Sequence, residues 1–240
     1  MASRAQHGPR TIVLGTDFSA ASQNALLRAL KIAKRHGATI HVVHAAPRLP
    51  RLFSRRFRLL NDRKQREALD GVVKRVKQAG VEVHAHLVPG NAIEILTAKA
   101  RAVAADLVIV GARGRMFPDS MIGSTAERLI AMDRHRVLLV RRPANRSYRE
   151  VIIAANEDSR LKEQVAAARL LSVDAPLVLH AYESPFESAL IVHGVPADEL
   201  RGYRAGARNE ADVRMVRLMK RVGLKPVNLV LRHGSAAQVL

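Results

Sequence analysis

The feature that most restricts this chain is a regular alternation of short apolar runs with longer helical patterns, started twice. In the first half, Thr11 to Thr16, Thr39 to Ala45, Val81 to Val88, Asp106 to Val110 and Arg136 to Val140 read as strands. Between them lie helical stretches: Ser19 to about His36, about Asp62 to Gln78, Ala92 to Ala104, and Ala126 to Met132. Ser19 suits a helix N-cap, Leu26, Leu30 and Ala33 share one face, and Gly37 suits a stop. Strands separated by helices cannot pair as hairpins, so the expected architecture is α/β, a doubly wound five-stranded parallel sheet, and its order is taken as 3-2-1-4-5, with the first strand central. In such sheets ligands sit beyond the carboxyl ends of the strands.

The pattern then restarts. Val151 to Ser159 echoes Ile12 to Ser19, shifted by 140, which sets Glu157 opposite Asp17; Val178-Leu179-His180-Ala181 echoes Val42-Val43-His44-Ala45. Val227 to Leu240 parallels Val83 to Leu96, with Gly234 opposite Gly90. The fold is therefore read as duplicated, with a domain at 1–146 and a second, degenerate one at 147–240. The second copy is incomplete in this chain, because nothing in it matches the fourth and fifth strands. Its first strand would then stand at a sheet edge, which is an aggregation hazard. The expectation is that the protein continues past Leu240 or that another chain covers this edge.

Composition narrows the chemistry. The chain of 240 residues has no cysteine, which excludes disulfides, thiolate metal sites and a Cys nucleophile. No run of eighteen apolar residues and no signal-like start is present, so the reading is a soluble cytoplasmic protein without membrane attachment. Charge is lopsided: through Arg146 there are 27 Lys and Arg against 10 Asp and Glu, and 13 against 11 thereafter. From Arg48 to Arg66 there are eight cations and a single acid, Asp62. That stripe could hold nucleic acid or an acidic partner.

The candidate site is the turn after the fourth strand, Gly111-Ala112-Arg113-Gly114, followed after eight residues by Gly123-Ser124-Thr125. Glycines permit sharp turns and close backbone approach. Their N–H groups, with those opening the next helix and the hydroxyls of Ser124 and Thr125, can cradle an anion such as a nucleotide phosphate. It is neither a Walker A loop nor a dinucleotide fingerprint. Other patterns are thinner: His84 and His86 alternate on one strand, Asp119 lies near the loop as a conceivable base for slow hydrolysis, and no nucleophile elbow appears. The apolar segment Pro185 to Pro196 reads as a loop. Val213, Val216, Met219 and Val222 read as the core stripe of a helix from about Pro196 to Arg221.

The duplication, Thr16-Asp17-Phe18-Ser19, Val43-His44-Ala45, and the two glycine clusters ending in Ser124-Thr125-Ala126-Glu127-Arg128 together resemble the universal stress protein family, its tandem members most of all. The resemblance spans nearly the whole chain and is strongest over 10–142. It implies a five-stranded parallel α/β domain and, from the ATP-binding branch, ATP or AMP with Mg²⁺ in the first domain. Asp17 would meet the nucleoside, the Ala45 backbone the adenine, and Gly111, Gly114, Gly123, Ser124 and Thr125 the phosphates. The stretch between Gly114 and Gly123 is one residue shorter than the family pattern and contains Pro118, which offers no N–H. Glu157 and Asp158 at the second mouth argue against a nucleotide there. The resulting expectation is a regulatory, non-catalytic stress protein acting as a homo-oligomer or through its paired domains. The alternative is a non-nucleotide protein whose basic first half engages nucleic acid or an acidic partner.

Overall fold

The computed structural model describes residues 8–47, 54–112, 124–132, 135–157, 160–171 and 176–239, and of 57, 58 and 124 the backbone alone. The chain divides into two compact units, His7–Ser147 and Tyr148–Leu240.

In the first unit the elements run β1 (Thr11–Gly15), α1 (Ala20–His36), β2 (Thr39–Ala46), α2 (Arg55–Gln78), β3 (Val83–Pro89), α3 (Ala92–Ala102), β4 (Leu107–Gly111), α4 (Ser124–Ala131) and β5 (Val137–Val140). All strand pairs are parallel, as the alternation predicts, and the order is the expected β3-β2-β1-β4-β5. β1 is central and wholly apolar along Ile12-Val13-Leu14, each 0 % exposed, because a strand covered on both faces has no solvent side to spare. Side chains alternate across the sheet. Val13, Val43, Val108 and Val110 form one core with Leu96 and Ala100 of α3 and Ala126 and Leu129 of α4. Ile12 and Leu14 point to the opposite face, where α1 buries Ala25, Leu26, Ala29, Ile32 and Ala33.

Both ends of α1 are set by local chemistry. Ser19 Oγ accepts from the Ser22 amide at the N-cap, and Gly37 closes the helix at φ 64°, where a side chain would be strained. α3 starts on Asn91, whose Oδ1 accepts from Ile93 and Glu94. Asp106 ties the sheet before β4, with Oδ2 accepting from the amides of Arg10 and Thr11 at 2.8 and 3.0 Å. α2 begins at Arg55, well before the expected Asp62.

The second unit contains β6 (Ile152–Ala154), α5 (Leu161–Leu170), β7 (Leu177–Tyr182), α6 (Glu187–Val192), α7 (Ala197–Arg221), a 3-10 turn (Pro226–Asn228), β8 (Leu229–His233) and α8 (Ala236–Val239). Its smaller parallel sheet is ordered β6-β7-β8, and its core joins Ile153, Leu161, Val165, Val178, Met215 and Met219. The duplication is visible in individual hydrogen bonds. The Thr16 amide donates to Val43 O and the Ala155 amide to Leu179 O, each 3.0 Å. His44 Nδ1 lies 2.8 Å from Thr16 O, and His180 Nδ1 2.8 Å from Ala155 O. Gly90 and Gly234, both at positive φ, donate to Ala46 O and Tyr182 O at 2.9 Å.

Several expectations change. These hydrogen bonds align Thr16 with Ala155, an offset of 139, so Asn156 takes the strand-end place of Asp17, and the way from Ala155 to α5 is two residues longer than that from Thr16 to α1. The segment Pro185 to Pro196 is not a plain loop, since α6 lies within it, entered through Phe186 at φ 61°. The core line of α7 is Ala211, Met215 and Met219, whereas Val213 is 56 % exposed. β6 pairs with β7 alone among the described residues, and Ile152 on it is 59 % exposed. The cover expected for that edge is therefore not supplied by the described residues.

Candidate functional site

Where β1 ends, the chain must leave the sheet and enter α1 within four residues, and polar side chains organise that turn. Thr16 Oγ1 accepts from the Phe18 amide at 3.1 Å. Asp17 Oδ1 accepts from both the amide and the hydroxyl of Ser19, at 3.0 and 2.5 Å. Phe18 is held at φ 62°, a conformation that costs about 1–3 kcal/mol in a non-glycine residue and clusters at functional turns. Its ring lies 4.3 Å from that of His44. Burial pushes the Asp17 carboxyl up, but hydrogen bonds from Ser19 and Ser22 outweigh it and leave the pKa below the usual 3.8. The half-buried Asp17 is therefore an anion at neutral pH, fixed by its own helix cap.

His44 is a member of this site that the sequence reading quoted without a role. Because Thr16 O can only accept, His44 Nδ1 carries the proton and donates, clamping the turn to β2. The signal was present, since the second copy repeats the histidine as His180 with the same bond.

Ala45 sits next to this clamp. In a parallel strand the N–H and C=O of one residue point to the same neighbour, and alternate residues serve opposite neighbours. Val43 bonds toward β1 and Ala46 toward β3, so the Ala45 N–H and C=O face the β1 side. β1 has already ended at Gly15, and no described residue bonds them. Ala45 thus presents one donor and one acceptor, side by side, at the carboxyl edge of the sheet.

Gly111 closes β4 across from the Asp17 turn. A Cβ there would lie 2.7 Å from the Ala21 carbonyl carbon, so the first turn of α1 rests directly on this glycine. That gives Gly111 a packing requirement independent of any ligand. The Ala112 amide donates to Val140 O at 3.1 Å and is already used. Thr125 is half-buried in the first turn of α4, where backbone N–H groups have no acceptor within the helix. Ser124 opens that helix. Gly114 and Gly123, with Arg113, Arg115, Pro118 and Asp119, lie outside the described residues. The structure thus brings Asp17, Ala45 and Gly111 to neighbouring strand ends. A cavity of about 200 Å³ adjoins the turn between α1 and α2, lined by Thr16, Phe18, Ser22, Leu26, Val72 and Arg75 among others, but by neither Asp17 nor Ala45.

Away from this site, His84 and His86 share a face, as their alternation predicts, and His41 from β2 joins them. His41 Nδ1 and His86 Nε2 are 3.1 Å apart, and the His41 and His84 rings stack at 4.9 Å. Burial, then neighbouring positive charge from Lys99 and the other imidazoles, holds His41 and His86 below the ordinary histidine pKa. Among the described residues no three His, Cys, Asp or Glu side chains are placed to hold a metal ion. In the second unit, Glu157 pairs with Arg214 at 2.7 Å, so its charge is not left facing an open mouth. Glu187 takes bonds from Arg204 and lies 3.3 Å from His233, while the Tyr203 hydroxyl donates to Pro185 O, which together fasten α6 to α7 and β8.

No helix among the described residues is long and apolar enough to cross a membrane. The sequence profile of the universal stress protein family matches residues 9–141. A universal stress protein of Methanocaldococcus jannaschii is 30 % identical over 141 residues, covering 56 % of this chain and 83 % of that protein. Among solved structures, a universal stress protein of Archaeoglobus fulgidus superposes with a TM-score of 0.63 at 14 % identity, covering 94 % of this chain and 79 % of that one. A Pseudomonas aeruginosa protein assigned to the same family gives 0.60 at 14 % identity, covering 95 % and 75 %. These two show likeness of fold across both units. Built on the 3-2-1-4-5 sheet and matched over more than half its length, the chain belongs to the universal stress protein family.

Proposed function

We propose that the first unit binds an adenine nucleotide, ATP or AMP with Mg²⁺, and that the protein acts by binding rather than by turnover. The observation that carries this reading is the open backbone edge of Ala45 beside the fixed Asp17 anion. An adenine edge offers one donor and one acceptor side by side, which matches the N–H and C=O of Ala45. Asp17 would accept from a ribose hydroxyl. The backbone at Gly111, Gly114 and Gly123, with Ser124 and Thr125 at the start of α4, would receive the phosphates, where the helix dipole favours negative charge. Mg²⁺ would come with the nucleotide and offset the charge of its phosphates. Membership of the family supports the assignment without fixing the ligand. The role inferred for this binding is regulatory. That role would be exerted through pairing of copies or of the two units.

Calorimetric titration with ATP–Mg²⁺, AMP and GTP tests the proposal. It requires saturation near one adenine nucleotide per chain, a loss of at least about tenfold in affinity, roughly 1.4 kcal/mol, in Asp17→Ala and in Gly114→Asp, and weaker binding of GTP. Equal affinity for GTP would remove the role given to Ala45. No binding by the folded protein would refute the whole reading, and phosphate release lost in Asp119→Asn would replace it with an ATPase.

A further inference from the structure

The N-terminal half of α2 has no role in the nucleotide site, and its chemistry is distinct. Of the twelve residues Arg55–Arg66, six are cations and only Asp62 is acidic. Among the described residues the first buried one in the helix is Leu69, at 5 % exposure, and Leu59 and Leu60 ahead of it are 59 % and 50 % exposed. The described charged side chains of this half are all exposed, whereas Asn61 and Gln65 are half-buried. Arg55, Arg56, Lys64 and Arg66 have no carboxylate partner among the described residues; Arg63 meets Glu67 at 2.7 Å, with both side chains largely exposed. At about 100° per residue Arg55, Arg56, Arg63, Lys64 and Arg66 cover about half of the circumference, with Arg55 and Lys64 on opposite sides.

We propose that this exposed, cationic half of α2 docks in the major groove of double-stranded DNA and binds its phosphates without sequence preference. A helix with its side chains is about 10–12 Å across, and the B-form major groove is about 12 Å wide. Cations on opposite sides of one helix meet both phosphate walls of a groove, whereas the flat acidic face of a protein would engage one side only. The twelve residues span about 18 Å, roughly half a turn of duplex. A-form RNA offers a deep, narrow groove that excludes a helix.

The test is fluorescence anisotropy of a labelled 20-bp DNA duplex titrated with the full chain between 50 and 200 mM salt. Four to six phosphate contacts predict a slope of log K against log salt of about −3.6 to −5.4, with Kd about 10⁻⁴–10⁻⁶ M at physiological salt. The triple variant Arg56→Glu, Arg63→Glu, Lys64→Glu should weaken binding more than tenfold and flatten the slope by about 2.7. These side chains are exposed, and circular dichroism verifies the fold; should the triple not fold, Arg56→Glu alone should flatten the slope by about 0.9. The same charge change on α7, Arg201→Glu, Arg217→Glu, Lys220→Glu, should alter binding less than threefold. Equal weakening by the α7 variant would reduce the effect to net charge and overturn the proposal. So would duplex RNA binding as tightly as DNA, displacement of DNA by polyglutamate at equal charge, or no binding.

Discussion

Replacing Gly111 by alanine separates the packing role of this glycine from its place beside a ligand. The added Cβ would stand 2.7 Å from the Ala21 carbonyl carbon, 2.9 Å from its oxygen and 3.0 Å from its Cβ. None of these atoms is the end of a flexible side chain, so relief requires shifting α1 itself. That helix is fixed by Ala25, Leu26, Ala29 and Ile32 in the core and by the Ser19 cap. Overpacking of this kind costs about 1–3 kcal/mol. At the size of the first unit this lowers Tm by about 3–12 °C. Gly71 supplies the opposite case: it lies within α2, and a Cβ there meets nothing within 4 Å. Gly71→Ala should stabilise by about 0.5–1 kcal/mol, because it removes backbone freedom from the unfolded chain. Thermal unfolding of both variants by far-UV circular dichroism, without nucleotide, reads the two signs directly. Gly111→Ala melting at or above the parent temperature would refute the packing argument and leave ligand approach as the reason for glycine.

Three further outcomes follow from named contacts. The Asp17 carboxyl has a folded pKa below its ordinary value, so its contribution is full above about pH 4 and is lost as pH falls through the lower folded value; Asp17→Asn should flatten stability in that acid range, as read from urea unfolding against pH. His41 and His86 are also depressed, so the unfolded chain binds more protons just below pH 6.5 and stability should fall as pH drops from there to their folded values; His41→Gln with His86→Gln should lessen that fall in Tm between pH 7 and 5. Met215 is fully buried in the second core, and Met215→Ala should destabilise that unit by about 2–5 kcal/mol, seen as earlier exposure of 148–240 to protease, with the first unit unchanged.

The legible parts of the fold are those where local and tertiary signals agree. Thr11–Gly15 is apolar because it is central, Ser19 caps because the turn needs an acceptor, and Gly37 ends α1 because it adopts positive φ. α2 was read too short because six cations among Arg55–Arg66 made its first turns read as a basic loop. In α7 the valines suggested one face, while the buried line uses Ala211, Met215 and Met219; small and flexible side chains fill that core. α6 was hidden because its entry depends on Phe186 in a left-handed conformation and on bonds from Tyr203 and Arg204, partners distant in sequence. At the site, Asp17, Ala45 and Gly111 were found through motif likeness. The function of His44, the contact that makes Gly111 necessary and the open backbone edge of Ala45 are products of register, and register is not written in any single segment.

The account rests on a nucleotide seated at the ends of β1, β2 and β4. Amide hydrogen exchange of the full chain with and without saturating ATP–Mg²⁺ addresses that seat residue by residue. The account predicts slower exchange at Ala45, whose amide has no described partner, and at Thr125 in the first turn of α4. Saturable binding that leaves both amides exchanging as before, or that protects only the second unit, would contradict it.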